Sequence, residues 1–166
     1  SSGWDPGTDS VVRALMKMVS ITGRTTTTFG GEKGGRSMGH TAVVKTIEGV
    51  VDAVALTLAN GRGGQKRRVY VQSAKGADEK AIEKAIKQDS YFVNDPTEVL
   101  FVPNINKYNT LHHEAEVERT AQEVNQKYTV EGNNPEFTAN VMVASARAVM
   151  NAKARGDYGA YTLLEL

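Results

Sequence analysis

The 166 residues contain no cysteine. That excludes thiolate nucleophiles, CxxC redox pairs, iron–sulfur clusters, Cys-ligated zinc and a disulfide-stapled scaffold. Charge of one sign is lacking as well: 20 Lys and Arg stand against 19 Asp and Glu, for a net charge of +1. This argues against a dedicated nucleic-acid or membrane-surface protein. No apolar run approaches the roughly 20 residues that span a bilayer. There is no GxGxxG and no serine elbow, so neither a dinucleotide fingerprint nor a Ser-His-Asp hydrolase is legible. What is present is 40% hydrophobic residues, which over this length suffices for a sizeable core without staples or structural metals.

The two ends read as edges. The first residue is Ser1, and the last seven residues, 160–166, form an apolar, strand-like run with no polar tail. A naked hydrophobic strand invites aggregation, so the expectation is a domain cut from a longer chain.

Val11, Leu15, Met16 and Val19 recur at helical spacing behind the capping residues Asp9 and Ser10, predicting a helix over 10–20. The β-branched and aromatic stretch 25–29 predicts a strand. Five glycines within 30–39 predict a loop, followed by a short helix over 40–47 closed by Gly49. Residues 50–58 alternate at period two and predict a strand, joined through the turn 60–64 to a hairpin partner over 68–72. A surface helix is expected over 77–88 and a strand over 98–102. Residues 113–120 and 123–130 alternate as solvent-facing antiparallel strands. Asn134 caps and Pro135 opens a long helix to about 154, rich in Ala, Val and Met and expected to be buried on most sides. The fold class is therefore α+β, a mixed and largely antiparallel sheet with helices packed on one face. No internal repeat is present.

Four local patterns carry chemistry. Residues 30–37 nearly spell a phosphate loop, but Arg36 stands where the lysine is required. A glycine loop that lets a small ligand approach the backbone fits better. His112, His113 and Glu114 resemble the start of a zinc-protease motif, yet Val117 stands where the second histidine is needed and the alternation favours a strand. No metal site follows, and a histidine donor at a strand start is what remains. Arg62, Lys66, Arg67 and Arg68 form the densest basic cluster. It reads as a solvated turn, as a cleft with Arg67 and Arg68 facing opposite ways, or as a nucleic-acid patch lacking interleaved aromatics. A buried Arg67 would want a carboxylate, gripped by its guanidinium fork. Trp4 and Asp5 precede the first helix, as a structural turn or as a site edge.

Gly3-Trp4-Asp5-Pro6-Gly7, Met38-Gly39-His40 followed by Gly49-Val50, and Thr57 with Lys66-Arg67 ten residues on occur in this order. They continue with Tyr91-Phe92-Val93, Asn134-Pro135 with Phe137-Thr138-Ala139, and Tyr161-Thr162-Leu163-Leu164-Glu165. With these motifs the chain resembles, over nearly its whole length, the substrate-binding and dimerisation domain of the meso-diaminopimelate dehydrogenase family. In that family a dinucleotide-binding domain precedes this segment and a short segment follows it. The resemblance implies a single domain over 1–166, an enzyme of lysine biosynthesis, a cytoplasmic homodimer, and NADP bound mainly by the preceding domain, with no nucleic-acid or membrane partner. It implies oxidative deamination of the D-centre of meso-2,6-diaminopimelate to L-2-amino-6-oxopimelate and ammonia, with this fragment inactive alone.

Residue by residue, the resemblance implies that Trp4 and Asp5 lie at the reacting D-centre, with Asp5 on its ammonium group. Met38 and the Gly39 amide line that end of the substrate, Thr57, Arg67 and His113 hold the distal carboxylate, and Asn134 bonds the distal amino group. Met38 and Ala42 depart from the Gln and Asp of some members, which removes a polar contact and widens the pocket. The alternatives are a related two-domain oxidoreductase with another amino-acid substrate, and a non-catalytic anion- or RNA-binding α+β module.

Overall fold

The computed structural model describes residues 7–31, 33–60 and 64–165. Along the chain run α1 (Thr8–Val19), β1 (Arg24–Phe29), β2 (Gly35–Arg36), α2 (Met38–Val44), β3 (Val50–Ala59), β4 (Gln65–Ser73), α3 (Glu79–Gln88), β5 (Thr97–Phe101), β6 (His112–Thr120), β7 (Asn125–Asn133) and α4 (Asn134–Arg155), with a 3-10 turn at Ile105–Tyr108. The chain divides into two compact units, Thr28–Ala115 on one side and Ser1–Thr27 with Glu116–Leu166 on the other.

Unit Thr28–Ala115 is built on a four-stranded sheet in the order β2-β3-β4-β5. β2, β3 and β4 pair antiparallel, and β5 joins β4 parallel after the crossover through α3, as a parallel neighbour requires. Strand β3 is central and buried on both faces. Ala53 and Ala55 share one face with Val69 and Val71 of β4, against Val44 of α2, Ile82 and Ile86 of α3, and Phe92. Val54, Leu56 and Leu58 share the opposite face with Ile105 and Tyr70. Each fully buried Val, Leu, Ile or Phe among these contributes about 1.5–3 kcal/mol on burial. Helix α3 begins where the Asp78 carboxylate accepts from the Lys80 and Ala81 amides at 3.0 and 3.1 Å, and Ile82 and Ile86, one turn apart, are its buried side. The expected α+β class holds, distributed over two sheets.

In the other unit, the Gly7 amide donates to Asp9 Oδ1 at 3.2 Å, and Asp9 pairs with Arg13 at 3.3 Å. Asp9 therefore lies inside the first turn of α1, behind Gly7 as the capping residue. A second sheet has the order β1-β6-β7. Along β6, His113, Ala115, Val117 and Arg119 are buried in alternation, the period-two pattern of a strand. Arg119 donates to the Ser20 and Ile21 carbonyls at 2.8 and 2.9 Å and to Thr25 Oγ1 at 2.7 Å, closing the turn between α1 and β1.

Four expectations need correction. The glycine-rich segment contains the short strand β2, because Gly35 and Arg36 pair with Thr57 and Leu56. Helix α4 is capped by Asn133, whose Oδ1 accepts from the Glu136 amide at 3.2 Å, so Asn134 is already helical. The same helix is not buried on most sides: Ala152 is its buried residue, while Met142, Val143, Val149 and Met150 are exposed. Its apolar residues are spread around the whole circumference, so no single flank covers them. The closing run is a turn, with the Glu165 amide donating to the Thr162 carbonyl at 3.0 Å and the Thr162 amide to Glu165 Oε2 at 2.7 Å. A side chain that captures the backbone locally competes with strand formation. Among the described residues, no helix is long and apolar enough to cross a membrane.

Candidate functional site

One row across the four-stranded sheet gathers three of the candidate residues. Gly35 pairs with Thr57, Thr57 with Arg67, and Arg67 with Thr97. Residues directly opposite each other on adjacent antiparallel strands project to the same face. Thr57 and Arg67 therefore project beside Ala55 and Val69, on the side covered by α2 and α3, while Arg68 projects to the other face.

Both side chains are buried, Thr57 at 3% and Arg67 at 8% exposure. A buried guanidinium must be paired, and this one is. Its Nη1 donates to Thr57 Oγ1. Its Nε and Nη2 both lie 2.8 Å from Asp95 Oδ2, which also accepts from Gln65 Nε2 at 3.4 Å. Asp95 is held in place by the turn it sits in, with its amide donating to the Phe92 carbonyl at 3.0 Å and the following Pro96 carbonyl accepting from the Arg67 amide at 2.8 Å. With Nε and one hydrogen of Nη2 committed to Asp95 and one hydrogen of Nη1 to Thr57, one hydrogen on each of Nη1 and Nη2 remains to be donated.

His113 joins the row at Gly35. A Cβ built on Gly35 would stand 2.3 Å from His113 Nδ1, so the ring lies directly over a residue that only glycine fits. Phe29 stacks on the ring at 6.2 Å between centroids. Burial lowers the His113 pKa, as does the neighbouring His112, which favours the neutral ring. His113 Nδ1 is buried without a hydrogen-bond partner among the described residues, a rare condition that calls for an explanation.

Met38 and Gly39 open α2, directly after β2, and both are exposed. The Ser37 side chain caps none of the first-turn amides, so the Gly39 N–H has no acceptor within the helix. A Cβ on Gly39 would meet Tyr91 Cε1 at 3.3 Å. His40 follows, hydrogen-bonded to Ser37 and to the Tyr91 carbonyl. Asn134 is half-buried at the start of α4, in the other compact unit. Trp4 and Asp5 lie outside the described residues, as does Arg62.

Gly30 and Gly31 of the glycine loop pack closely against other parts of the chain. A Cβ on Gly30, whose φ is +82°, would stand 1.8 Å from the Thr57 carbonyl oxygen, and one on Gly31 would stand 2.0 Å from Glu114 Oε2. The loop closes on its own chain, and the Glu114 carboxylate at Gly31 repels a phosphate. The basic cluster is also divided. Arg67 is buried on Asp95, while Arg68 Nε reaches Glu98 Oε2 at 2.6 Å on the opposite face. Among the described residues no group of three or more His, Asp and Glu side chains is arranged to hold a metal ion.

Asp95, His40 and Gly35 were not legible as site residues. Asp95 lies 28 positions from Arg67 in the chain and reaches it only because β5 returns beside β4. The one signal was Asp95-Pro96 itself, a turn pair standing before a strand.

The comparisons with known proteins agree with each other. The family described as "Diaminopimelic acid dehydrogenase C-terminal domain" matches residues 3–136. The meso-diaminopimelate D-dehydrogenase of Bacteroides fragilis is 39% identical over 171 residues, covering 100% of this chain and 55% of that protein. The Corynebacterium glutamicum enzyme of the same name is 31% identical over 191 residues, covering 100% and 58%. The chain thus spans little more than half the length of the curated relatives it matches. Among solved structures, a C. glutamicum DAP dehydrogenase in complex with DAP has a TM-score of 0.82 at 29% identity, covering 99% of this chain and 58% of that one. An engineered D-amino acid dehydrogenase bound to NADP+ has a TM-score of 0.79 at 29% identity, with coverage of 99% and 58%.

Proposed function

The chain belongs to the diaminopimelic acid dehydrogenase C-terminal domain family, and from that premise we propose that it is the substrate-binding domain, over 1–166, of an NADP-dependent meso-2,6-diaminopimelate dehydrogenase. The net reaction converts the D-centre amine, with water and NADP+, into L-2-amino-6-oxopimelate, ammonium, NADPH and a proton. NADP+, when bound, supplies the hydride acceptor. On this reading NADP+ is held mainly by the dinucleotide-binding domain that precedes this segment in the family. The fragment alone is inactive on this reading.

This chain's part is to hold and orient the substrate. Arg67 and Thr57 take the distal carboxylate, through the guanidinium hydrogens that Asp95 leaves unused, and His113 contributes its buried nitrogen. The Gly39 amide takes the carboxylate at the D-centre beside Met38, Asp5 and Trp4 hold the D-centre amine, and Asn134 bonds the distal amine. The observation that carries this reading is the buried polar row of Thr57, Arg67 and His113, with its unpartnered imidazole nitrogen. Arg67 and Thr57 are satisfied by each other and by Asp95, so the buried imidazole nitrogen is the group that a ligand would complete.

The proposal extends to a cytoplasmic homodimer in lysine biosynthesis, associating through this domain's sheet. The apolar side chains that α4 leaves exposed are further surface for a second copy to cover. The test is turnover by the full-length protein, followed by NADPH formation with meso- and with LL-diaminopimelate. Activity on the meso isomer alone is expected, because only it carries a D-centre. No turnover of the meso isomer, or equal turnover of both, would overturn the reading.

A further inference from the structure

His40 has no role in the assignments above, yet both of its ring nitrogens are engaged. Nδ1 lies 2.8 Å from Ser37 Oγ, and Nε2 lies 2.8 Å from the Tyr91 carbonyl oxygen. A carbonyl only accepts, so Nε2 carries the hydrogen. Burial and the Arg67 charge favour the neutral ring, so Nδ1 accepts from the Ser37 hydroxyl. The rings of Tyr91 and Phe92 meet the imidazole edge-on, with centroids at 5.2 and 4.9 Å and interplanar angles of 84° and 86°.

These contacts tie together two segments that carry opposite ends of the site. Ser37 heads α2, where the Gly39 amide begins the helix. Tyr91 belongs to the turn that leads to Asp95. That turn is anchored by the Tyr91 amide on Asp89 Oδ1 at 2.8 Å, by Phe92 in the core at 1% exposure, and by the grip of Asp95 on Arg67. The Tyr91 ring rests over Gly39, where any side chain would crowd it. The charged groups that act on His40 are Arg67 from β4 and Asp95 and Asp89 from the turn. The imidazole is therefore a clasp between the start of α2 and the segment that orients the Arg67 guanidinium.

We propose that His40 is a positioning residue that fixes the spacing between the Gly39 amide and the Arg67 guanidinium, and so selects the length of a dicarboxylate substrate. This rests on the reading of the site given above. A substrate held at both ends is measured by the distance between the two grips, and a looser clasp accepts neighbouring lengths.

The experiment uses the full-length protein and compares kcat/KM for meso-diaminopimelate with that for the diamino dicarboxylates one methylene shorter and one longer. His40→Ala is expected to shrink this discrimination by about tenfold or more, chiefly through KM. His40→Gln, whose amide can still donate to the Tyr91 carbonyl, is expected to recover most of it. Loss of stability alone would lower activity on all three substrates together and leave their ratio unchanged, and an unchanged ratio in both variants overturns the proposal. Nitrogen-15 NMR of the imidazole gives a readout that needs no turnover. A neutral ring with its hydrogen on Nε2 is expected at neutral pH, and a hydrogen on Nδ1 would overturn the clasp. If meso-diaminopimelate is not a substrate at all, the reading of the site fails, while the NMR result still judges the clasp.

Discussion

Arg67 and Arg68 are neighbours in the chain, carry the same charge, and project to opposite faces of one sheet. Arg67 is buried at 8% exposure, with its guanidinium divided between Thr57 and Asp95. Arg68 keeps a side chain 34% exposed and meets Glu98, itself 52% exposed, at 2.6 Å. An exposed pair of this kind contributes about 0–1 kcal/mol, whereas a buried guanidinium stripped of its partner destabilises the fold by several times that. The difference is one of register: a strand sends alternate residues to opposite sides. On this sheet the face under α2 and α3 carries Thr57 and Arg67, and the other face carries Ile105 and the stacked pair of Tyr70 and Tyr108, with centroids 4.0 Å apart.

The hardest way to break the contrast is to collapse the face that carries the site. Phe92 is fully buried among Val44, Ile86 and Val69 and stands in the turn that leads to Asp95. Phe92→Ala is expected to cost about 3–5 kcal/mol in chemical denaturation and to weaken substrate binding with it. Gly35→Ala is subtler. It drives a methyl group to within 2.3 Å of His113 Nδ1, which should cost about 1–3 kcal/mol through overpacking and displace the imidazole from the row. A raised KM for diaminopimelate beyond what the stability loss explains is the expected signature.

Acid sharpens the same contrast. Burial lowers the pKa of both His40 and His113, so below pH about 6.5 the unfolded chain binds protons that the folded chain refuses. The native state therefore loses stability as pH falls from about 6.5 toward the folded pKa values, by up to about 1.4 kcal/mol per pH unit for the buried His113 and by less for His40, which solvent screens. Denaturation curves at neutral and mildly acid pH, compared with those of His113→Gln, check the sign. The smallest effect belongs to the exposed face. Arg68→Gln is expected to change stability by less than about 1 kcal/mol and to leave KM unchanged.

Much of this arrangement was legible in the sequence because it rests on short-range rules. The alternation of β3 and β4 put Arg67 and Arg68 on opposite faces, and the spacing of Ile82 and Ile86 set the buried side of α3. The candidate residues Thr57, Arg67 and His113 came from resemblance, and the sheet row explains why they meet. What escaped depends on contacts distant in the chain or on competition between nearly equal local choices. Asp95 becomes the partner of Arg67 only through the parallel return of β5. The neighbour of the glycine loop was not legible because Glu114, whose carboxylate packs at Gly31, is more than 80 residues away in the chain. At α4 two adjacent asparagines competed for the cap, and Asn133 won by reaching the Glu136 amide. The final apolar run looked like a strand until Glu165 bonded back to Thr162.

The most direct test of the account sets the two arginines against each other in the full-length protein. Lysine keeps the charge at either position and removes the guanidinium fork. Arg67→Lys is expected to raise KM for meso-diaminopimelate by well over tenfold, about 1.4 kcal/mol or more, with Arg68→Lys within about twofold of the parent. Equal KM values for the two variants would contradict the assignment of Arg67 to the substrate carboxylate.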